Sequence, residues 1–573
     1  MRTAVVLIAF AAVFVGLTVS SYRQESATVD EAGHLVCGYT ALVLKDYRLD
    51  PVHPPFLRMW AALPLLAMSN VHLDTNTLAW TSGRSWEFFH QFMYLDNDGD
   101  RLLNRARFMN VLLGVLLGIL LFCWSRELFG FWTATIVLGL YCLEPNILAH
   151  FGLMTIDAGV ACFIFGTTYF LWRTTRRLNA PNLIGLLAFF ALAQVSKFSA
   201  LVLGPITMAL LLTHALRNGV WPVTFGCGGE LATRRHRVLA AFCIVLLSAF
   251  ASYIAIWGTY RFQYAPAPRG GGLERVVSGP NVHQRVPITA AVMDWADQHH
   301  LLPNVCAQGL EILLAAVQQR TAYLHGQLSS TGWWYYFPIV LLIKTPVSLI
   351  ILSIAGLALF AVNRSTRWRD GLFILLPIAA YLGIAMTAKM NIGVRHILPI
   401  YPLALLIAGK TVETVIASRR KLFIAALAAL CLLQVGEVVA VHPYYLAFFN
   451  QFVGGPKNGY KYLADSNLDW GQDLKRLKKW MDANNVNRIN LAYFGSADPA
   501  YYGIHCSHLL GSTVFPPDKI ETPSLPGFVA VSVNNLTAVG LDGNQFYKPL
   551  LDVEPVAEIG YSIRVYLVDK PWW

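Results

Sequence analysis

Charge is what this sequence has least of. Of 573 residues only 13% are Asp, Glu, Lys or Arg, while 55% are hydrophobic, too little charge to solvate the surface of a soluble protein of this size. The nine cysteines are scattered singly, with no Cys-x-x-Cys pair and no zinc-ligand spacing. Most lie in apolar runs where Cys acts as a small hydrophobe, so they specify neither a disulfide framework nor a metal site. There is no internal repeat and no low-complexity tract; "PRGGG", around Arg269 to Gly272, reads as a flexible stretch. No small-x-small cleavage site precedes Tyr22, so residues 3–20 read as a retained membrane helix with its N-terminus in the cytoplasm.

What is present is a series of long apolar runs. After 3–20 they fall near 106–124, 131–149, 155–172, 183–196, 198–214, 238–258, 335–362, 371–388, 394–412 and 421–441, about eleven spans if each crosses once. The formal net charge of +11 sits largely in short clusters between the runs. Arg126, Arg173, Arg176, Arg177, Arg217, Arg234, Arg235, Arg237, Arg364, Arg367, Arg369, Lys410, Arg419, Arg420 and Lys421 occupy alternate connections, as the positive-inside rule requires of cytoplasmic loops. The split near Lys197 is needed to keep that alternation, and no nucleic-acid partner is needed to explain the charge. The expected fold is mainly α: a polytopic transmembrane helical bundle over residues 1–441 and a small extracytoplasmic α/β domain over 442–573. Outer loops span 21–105 and 259–334. "RINLAYF", "GFVAVSV" and "SIRVYLVD" in the tail read as strands. "EAGHLVCGYTALVLKD" and "PPFLRMWAALPLLAM" in the first outer loop read as helices lying along the membrane interface.

Adjacent acids open that first loop. Asp30 suits a helix N-cap with Glu31 in the first turn. A carboxylate at a lipid interface also suits transfer of a sugar from a lipid phosphate, where the phosphate leaves unaided and one base to deprotonate an acceptor hydroxyl suffices. His53 follows in "DPVHPPF". Lys197, Lys344, Arg395 and His396 lie within or at the outer ends of apolar segments, where an unpaired charge is expensive. Each wants either a lipid phosphate or an internal partner such as Asp157. In the tail, "DSNLDWGQDLKRLKKW" spaces Asp465, Asp469 and Asp473 for one helix face. It reads either as a solvated helix start or as an acceptor-binding segment with Asp469 hydrogen bonding and Trp470 stacking on a sugar. Glu31, His34 and His53 have weak spacing for a metal, and none is expected.

In order along the chain, "DEAGH", "DPVHPPF", "NRARFMNVLLGVLLGILLFCWSRELFG", "LMTIDAG", "VSKFSAL", "GWWYYFPIVLLIKTP" and "MNIGVRHILPIYP" resemble the GT-C class of polytopic glycosyltransferases. The closest likeness is to the group of protein O-mannosyltransferases and aminoarabinose transferases that use polyprenyl-phosphate sugars. "HPYYLAFFNQFVGGPKNGYKYLADSNLDWGQDLKRL" looks like bacterial carrier-dependent members of it. The resemblance implies an enzyme of a bacterial inner membrane with a lipid-linked sugar donor, no cofactor and no catalytic metal. It makes Asp30 the base, with Glu31 its neighbour, and Arg395 and Lys197 ligands of the carrier phosphate. "GWWYY" lacks the Asp and Gly of the oligosaccharyltransferase signature, and the tail does not resemble the trefoil of eukaryotic protein mannosyltransferases, so it implies no particular acceptor. A lipid-linked sugar flippase or a catalytically silent binding member are the alternatives. A transporter places its coupling groups near the midplane, often in paired repeats, whereas these acids lie in an outer loop.

Overall fold

The computed structural model describes residues 1–225, 227–268, 282–318, 320–362, 368–512 and 520–572. The Arg269 to Gly272 stretch and the loop residues Arg364 and Arg367 lie outside them. Every apolar run carries helix, as it must where the backbone has only itself to bond. Among the described residues, seven helices are long and apolar enough to cross a membrane, up to nine if each of two bent pairs is one span. The chain is an integral membrane protein.

The shortfall from eleven has local causes. The Ala180–Gln194 helix has 15 residues, about 22 Å at 1.5 Å per residue, less than a bilayer's apolar thickness. Ile156–Arg176 carries Asp157 at one end and Arg173 and Arg176 at the other. The run 131–149 is two helices, Phe131–Cys142 and Pro145–Gly152, bent by 61°. The run 335–362 is also two, Tyr336–Lys344 and Val347–Val362, bent by 117°. In both, a proline at the break removes a backbone donor and forces the preceding residue out of helical conformation; Thr345 and Glu144 are extended. The split expected near Lys197 is present: Lys197 is extended between the Ala180–Gln194 helix and a 3-10 turn, Phe198–Val202, that leads into Leu203–Ala215.

The tail forms a five-stranded sheet of β1 (Ile489–Ala492), β2 (Cys506–His508), β3 (Gly527–Ser532), β4 (Ala557–Ile559) and β5 (Ile563–Val568), in the order β2-β1-β3-β5-β4. β1 pairs in parallel with β2 and β3, and β5 runs antiparallel to β3 and β4. The three strings read as strands are β1, β3 and β5. Leu474–Ala483 lays Leu477 and Met481 in the same apolar cluster as Leu491 and Val565. That cluster continues into Ala32, Leu35 and Val36 of the Val29–Val43 helix. This helix is covered by protein on every face rather than half-exposed as an amphipathic helix would be: every residue from Glu31 to Ala41 is buried, the tail supplying part of its apolar partner.

Hydropathy falls after 441, yet packing does not part there. Tyr445 to Phe449 and Leu468 to Trp470 share the main core with the membrane helices. Ser466 Oγ donates to Ile392 O at 2.9 Å, and Val394 N donates to Asn467 Oδ1 at 2.9 Å. Gly393 admits this approach, since a Cβ there would stand 2.3 Å from Ser466 Oγ. The segment between the last membrane helix and the sheet thus packs as part of the bundle.

Candidate active site

Four charged side chains from four distant places meet at the junction of bundle and tail. Arg395 Nη1 donates to Asp30 Oδ2 at 2.8 Å and lies 3.7 Å from Asp157 Oδ2. Asp157 Oδ1 accepts from Lys197 Nζ. The Asp30 side chain keeps 29% exposure, Lys197 15% and Arg395 11%, against 2% for Asp157, so the network is open on the Asp30 side. Arg395 stacks on Trp470, its Cζ 4.2 Å from the ring centroid. Arg395 Nε and His396 Nε2 are buried with no hydrogen-bond partner among the described residues.

Each position has a local reason. Arg395 and His396 sit in a 3-10 turn, Val394–Ile397, gripped by Ser466 and Asn467. Asp157 lies in the first turn of Ile156–Arg176, where the helix dipole favours an acid. Asp30 is not the cap of its helix. The helix begins at Val29 after Thr28, whose N–H donates to Glu31 Oε2 at 2.8 Å, the Glu half of a capping box. Asp30 is thereby released to face Arg395. Burial works against its charge, but Arg395, with His34 and His53 behind it, holds the carboxyl below the usual carboxylate range.

Glu31, expected as a second catalytic acid, is spent on structure. Its side chain is fully buried and both oxygens are taken: Arg107 Nε donates at 2.8 Å and Nη2 at 2.6 Å, and the N–H groups of Met154 and Thr28 donate at 2.7 and 2.8 Å. Arg107 also donates to the carbonyls of Tyr22, Glu25 and Ser26, stapling the turn that delivers Asp30. Sequence reasoning passed over Arg107. Its signal was there, a cation inside an apolar helix that must have a partner.

Lys344 is likewise away from the network. Its buried ammonium donates to Leu446 O at 2.9 Å and Asn467 O at 2.7 Å, with the Phe449 ring below. Asp469 is fully buried and accepts from the N–H groups of Asn534 and Gly471 at 3.0 and 3.2 Å; burial pushes its carboxyl up to about 8. The helix starts at Leu474, not near Asp465, because Asp465, Asp469 and Asp473 are each buried with separate partners instead of lining one solvated face. Trp470 does reach the site, as the platform under Arg395. His53 stands beside His34, ring centroids 5.1 Å apart; burial and mutual repulsion lower the His34 imidazole to about 4.

An apolar groove of about 350 Å³ is lined in part by residues that neighbour His53 and Lys197 along the chain. Its lining includes Pro54 and Pro55, which follow His53, and Val195 and Phe198, which flank Lys197. Ala249 and Tyr253 of the Arg234–Thr259 helix form another part of it.

Residues 92–227 match the family model described as dolichyl-phosphate-mannose-protein mannosyltransferase, in accord with the resemblance read from the motifs. Among solved structures, this chain is similar to ArnT from Cupriavidus metallidurans bound to undecaprenyl phosphate, at 11% identity over 97% of each chain with a TM-score of 0.44. It is also similar to the Archaeoglobus fulgidus oligosaccharyltransferase in the apo form, at 12% identity over 96% of this chain and 72% of that one, TM-score 0.48. A third similarity is to AglB of the same organism with an inhibitory peptide and a dolichol-phosphate, at 14% identity over 95% and 71%, TM-score 0.43. No curated protein matches the chain.

Proposed function

We propose that this protein is a membrane glycosyltransferase that moves a sugar from a polyprenyl-phosphate carrier to an acceptor hydroxyl on the extracytoplasmic face. The observation that carries the reading is the open Asp30–Arg395–Asp157–Lys197 network, with an apolar groove lined by chain neighbours of His53 and Lys197, and two buried nitrogens, Arg395 Nε and His396 Nε2, that have no hydrogen-bond partner among the described residues. A lipid-linked phosphate matches both halves: apolar chain to groove, anion to cations. The matching family model, named for a dolichyl-phosphate mannose donor, makes mannose the first sugar to try.

In this mechanism the donor phosphate takes up Arg395 and Lys197, and the positive charge that lowered the Asp30 carboxyl is neutralised. Asp30 becomes more basic as the donor binds. It removes the proton of the acceptor hydroxyl, whose oxygen attacks the anomeric carbon as the carrier phosphate leaves, its charge stabilised by the same two cations. The displacement inverts the anomeric carbon. No cofactor enters. The reading includes a bacterial inner membrane, a cytoplasmic N-terminus and an extracytoplasmic tail, the orientation favoured by the arginine-bearing loops.

The test is transfer from radiolabelled polyprenyl-phosphate sugars by purified protein. Asp30→Asn is expected to abolish turnover and keep donor binding. Both activity and donor affinity are expected to fall from wild type to Arg395→Lys to Arg395→Ala, since Lys keeps the charge and loses the planar fork. A product with retained configuration, or near-normal turnover by Asp30→Asn, would reject the mechanism.

A further inference from the structure

A second group of side chains with ligand chemistry lies one helical turn beyond Asp30. The ligand atoms of His34, Asp50 and His53 all lie within 4.8 Å of one another. His34 is 4% exposed, and its Nδ1 is buried with no hydrogen-bond partner among the described residues. We infer that these three residues bind a divalent transition-metal ion, zinc by preference, through two imidazole nitrogens and one carboxylate oxygen. Such a donor set suits zinc, with a fourth position left for water or another oxygen.

The arrangement is fixed without the ion. Gly38, one turn after His34, lets the Val29–Val43 helix touch the next one: a Cβ at Gly38 would stand 2.1 Å from Arg58 O. Arg58, buried at 3% exposure, donates to Asp50 Oδ2 at 3.0 Å, to Asp50 O at 3.1 Å and to His53 O. Asp50 Oδ1 accepts from Val52 N at 3.1 Å. The turn carrying Asp50 and His53 is thus held against His34 by a buried guanidinium, and the carboxylate is oriented by hydrogen bonds, as outer-shell groups orient metal ligands. Glu31 shares the Glu-x-x-His spacing but belongs to Arg107, and Asp50, three residues before His53, is the acid that reaches the two histidines. A metal here would tie the helix that bears Asp30 to the turn after it.

The measurement needs no donor or acceptor, so it stands or falls separately from the proposed transfer reaction. A second cluster, His283, Asp294 and Glu311, is first removed as a contributor by working in a His283→Gln background. The purified full chain is stripped with chelator, reloaded with Zn²⁺ and analysed for bound metal, and Co²⁺ is added in parallel as a visible-absorption probe of tetrahedral coordination. The expected result is roughly one zinc per chain and a tetrahedral cobalt spectrum, with affinity reduced tenfold or more in His34→Gln and in Asp50→Asn. Zinc should raise the Tm of the parent and not that of His34→Gln. If His34→Gln does not fold, His53→Gln is read in its place. A parent chain that binds no zinc, or ligand variants that bind it as well as the parent, would overturn the inference.

Discussion

Asp30 and Glu31 are neighbours with opposite fates, and the difference lies in what faces them. Glu31 receives four donors in a fully buried setting, whereas Asp30 meets one cation at an open rim. Removing one partner of a buried ion pair costs about 3–5 kcal/mol, since the other charge is left uncompensated. Glu31→Gln is therefore expected to lower stability by about that amount, with a matching drop in Tm in detergent, while Asp30→Asn leaves Tm nearly unchanged. Equal losses in the two variants would show that the assignment of structural and chemical roles is wrong. The pair itself was legible in the sequence, as was Arg395. Which acid was free was not, because the answer depends on Arg107, Met154 and Arg395, none of them near in the chain.

Among the elements, the membrane helices were legible from hydropathy and their breaks were not. An apolar run looks the same whether it is straight or folded back: Pro145 and Pro346 stand at the two breaks, yet Pro377 lies inside the unbroken Trp368–Thr387 helix. The break after Lys344 matters to the site because it lets that lysine anchor the 446 and 467 carbonyls, and with them Asn467 and the Arg395 turn. The apolar groove was equally hidden, being lined by residues from several helices that no local pattern links. Filling it tests its role. Ala249 lines the groove from an exposed position, so Ala249→Trp should fold. Displacing two methylenes of a bound lipid chain forfeits about 1.6 kcal/mol, or roughly a tenfold rise in KM for a long polyprenyl donor. KM for a short-chain donor should stay constant; a uniform loss with both donors would speak against the groove as the lipid site.

At the scale of the whole molecule, bundle and tail form one working unit. Ser26 N donates to Gln472 O and Val29 N to Trp470 O, both at 2.9 Å, so the chain just before Asp30 runs alongside the residue on which Arg395 rests. The tail's strands were legible from their short β-type strings, but its invasion of the bundle was not, since residues 442–473 are short 3-10 turns joined by irregular backbone, without a period to read. A chain ended at 441 would leave the Lys344 ammonium without its two carbonyls and the Arg395 turn without Ser466 and Asn467. Such a protein is expected to elute as aggregate in size-exclusion chromatography where the full chain is monodisperse; a monodisperse product would make the tail an accessory. The threading also sets a clock on biosynthesis. The ribosome will have made all the membrane helices before Trp470 exists, and Asp30, made among the first, waits through some 440 further residues for the platform that completes its partner. Every nascent or prematurely ended chain therefore lacks the platform on which Arg395 rests against Asp30.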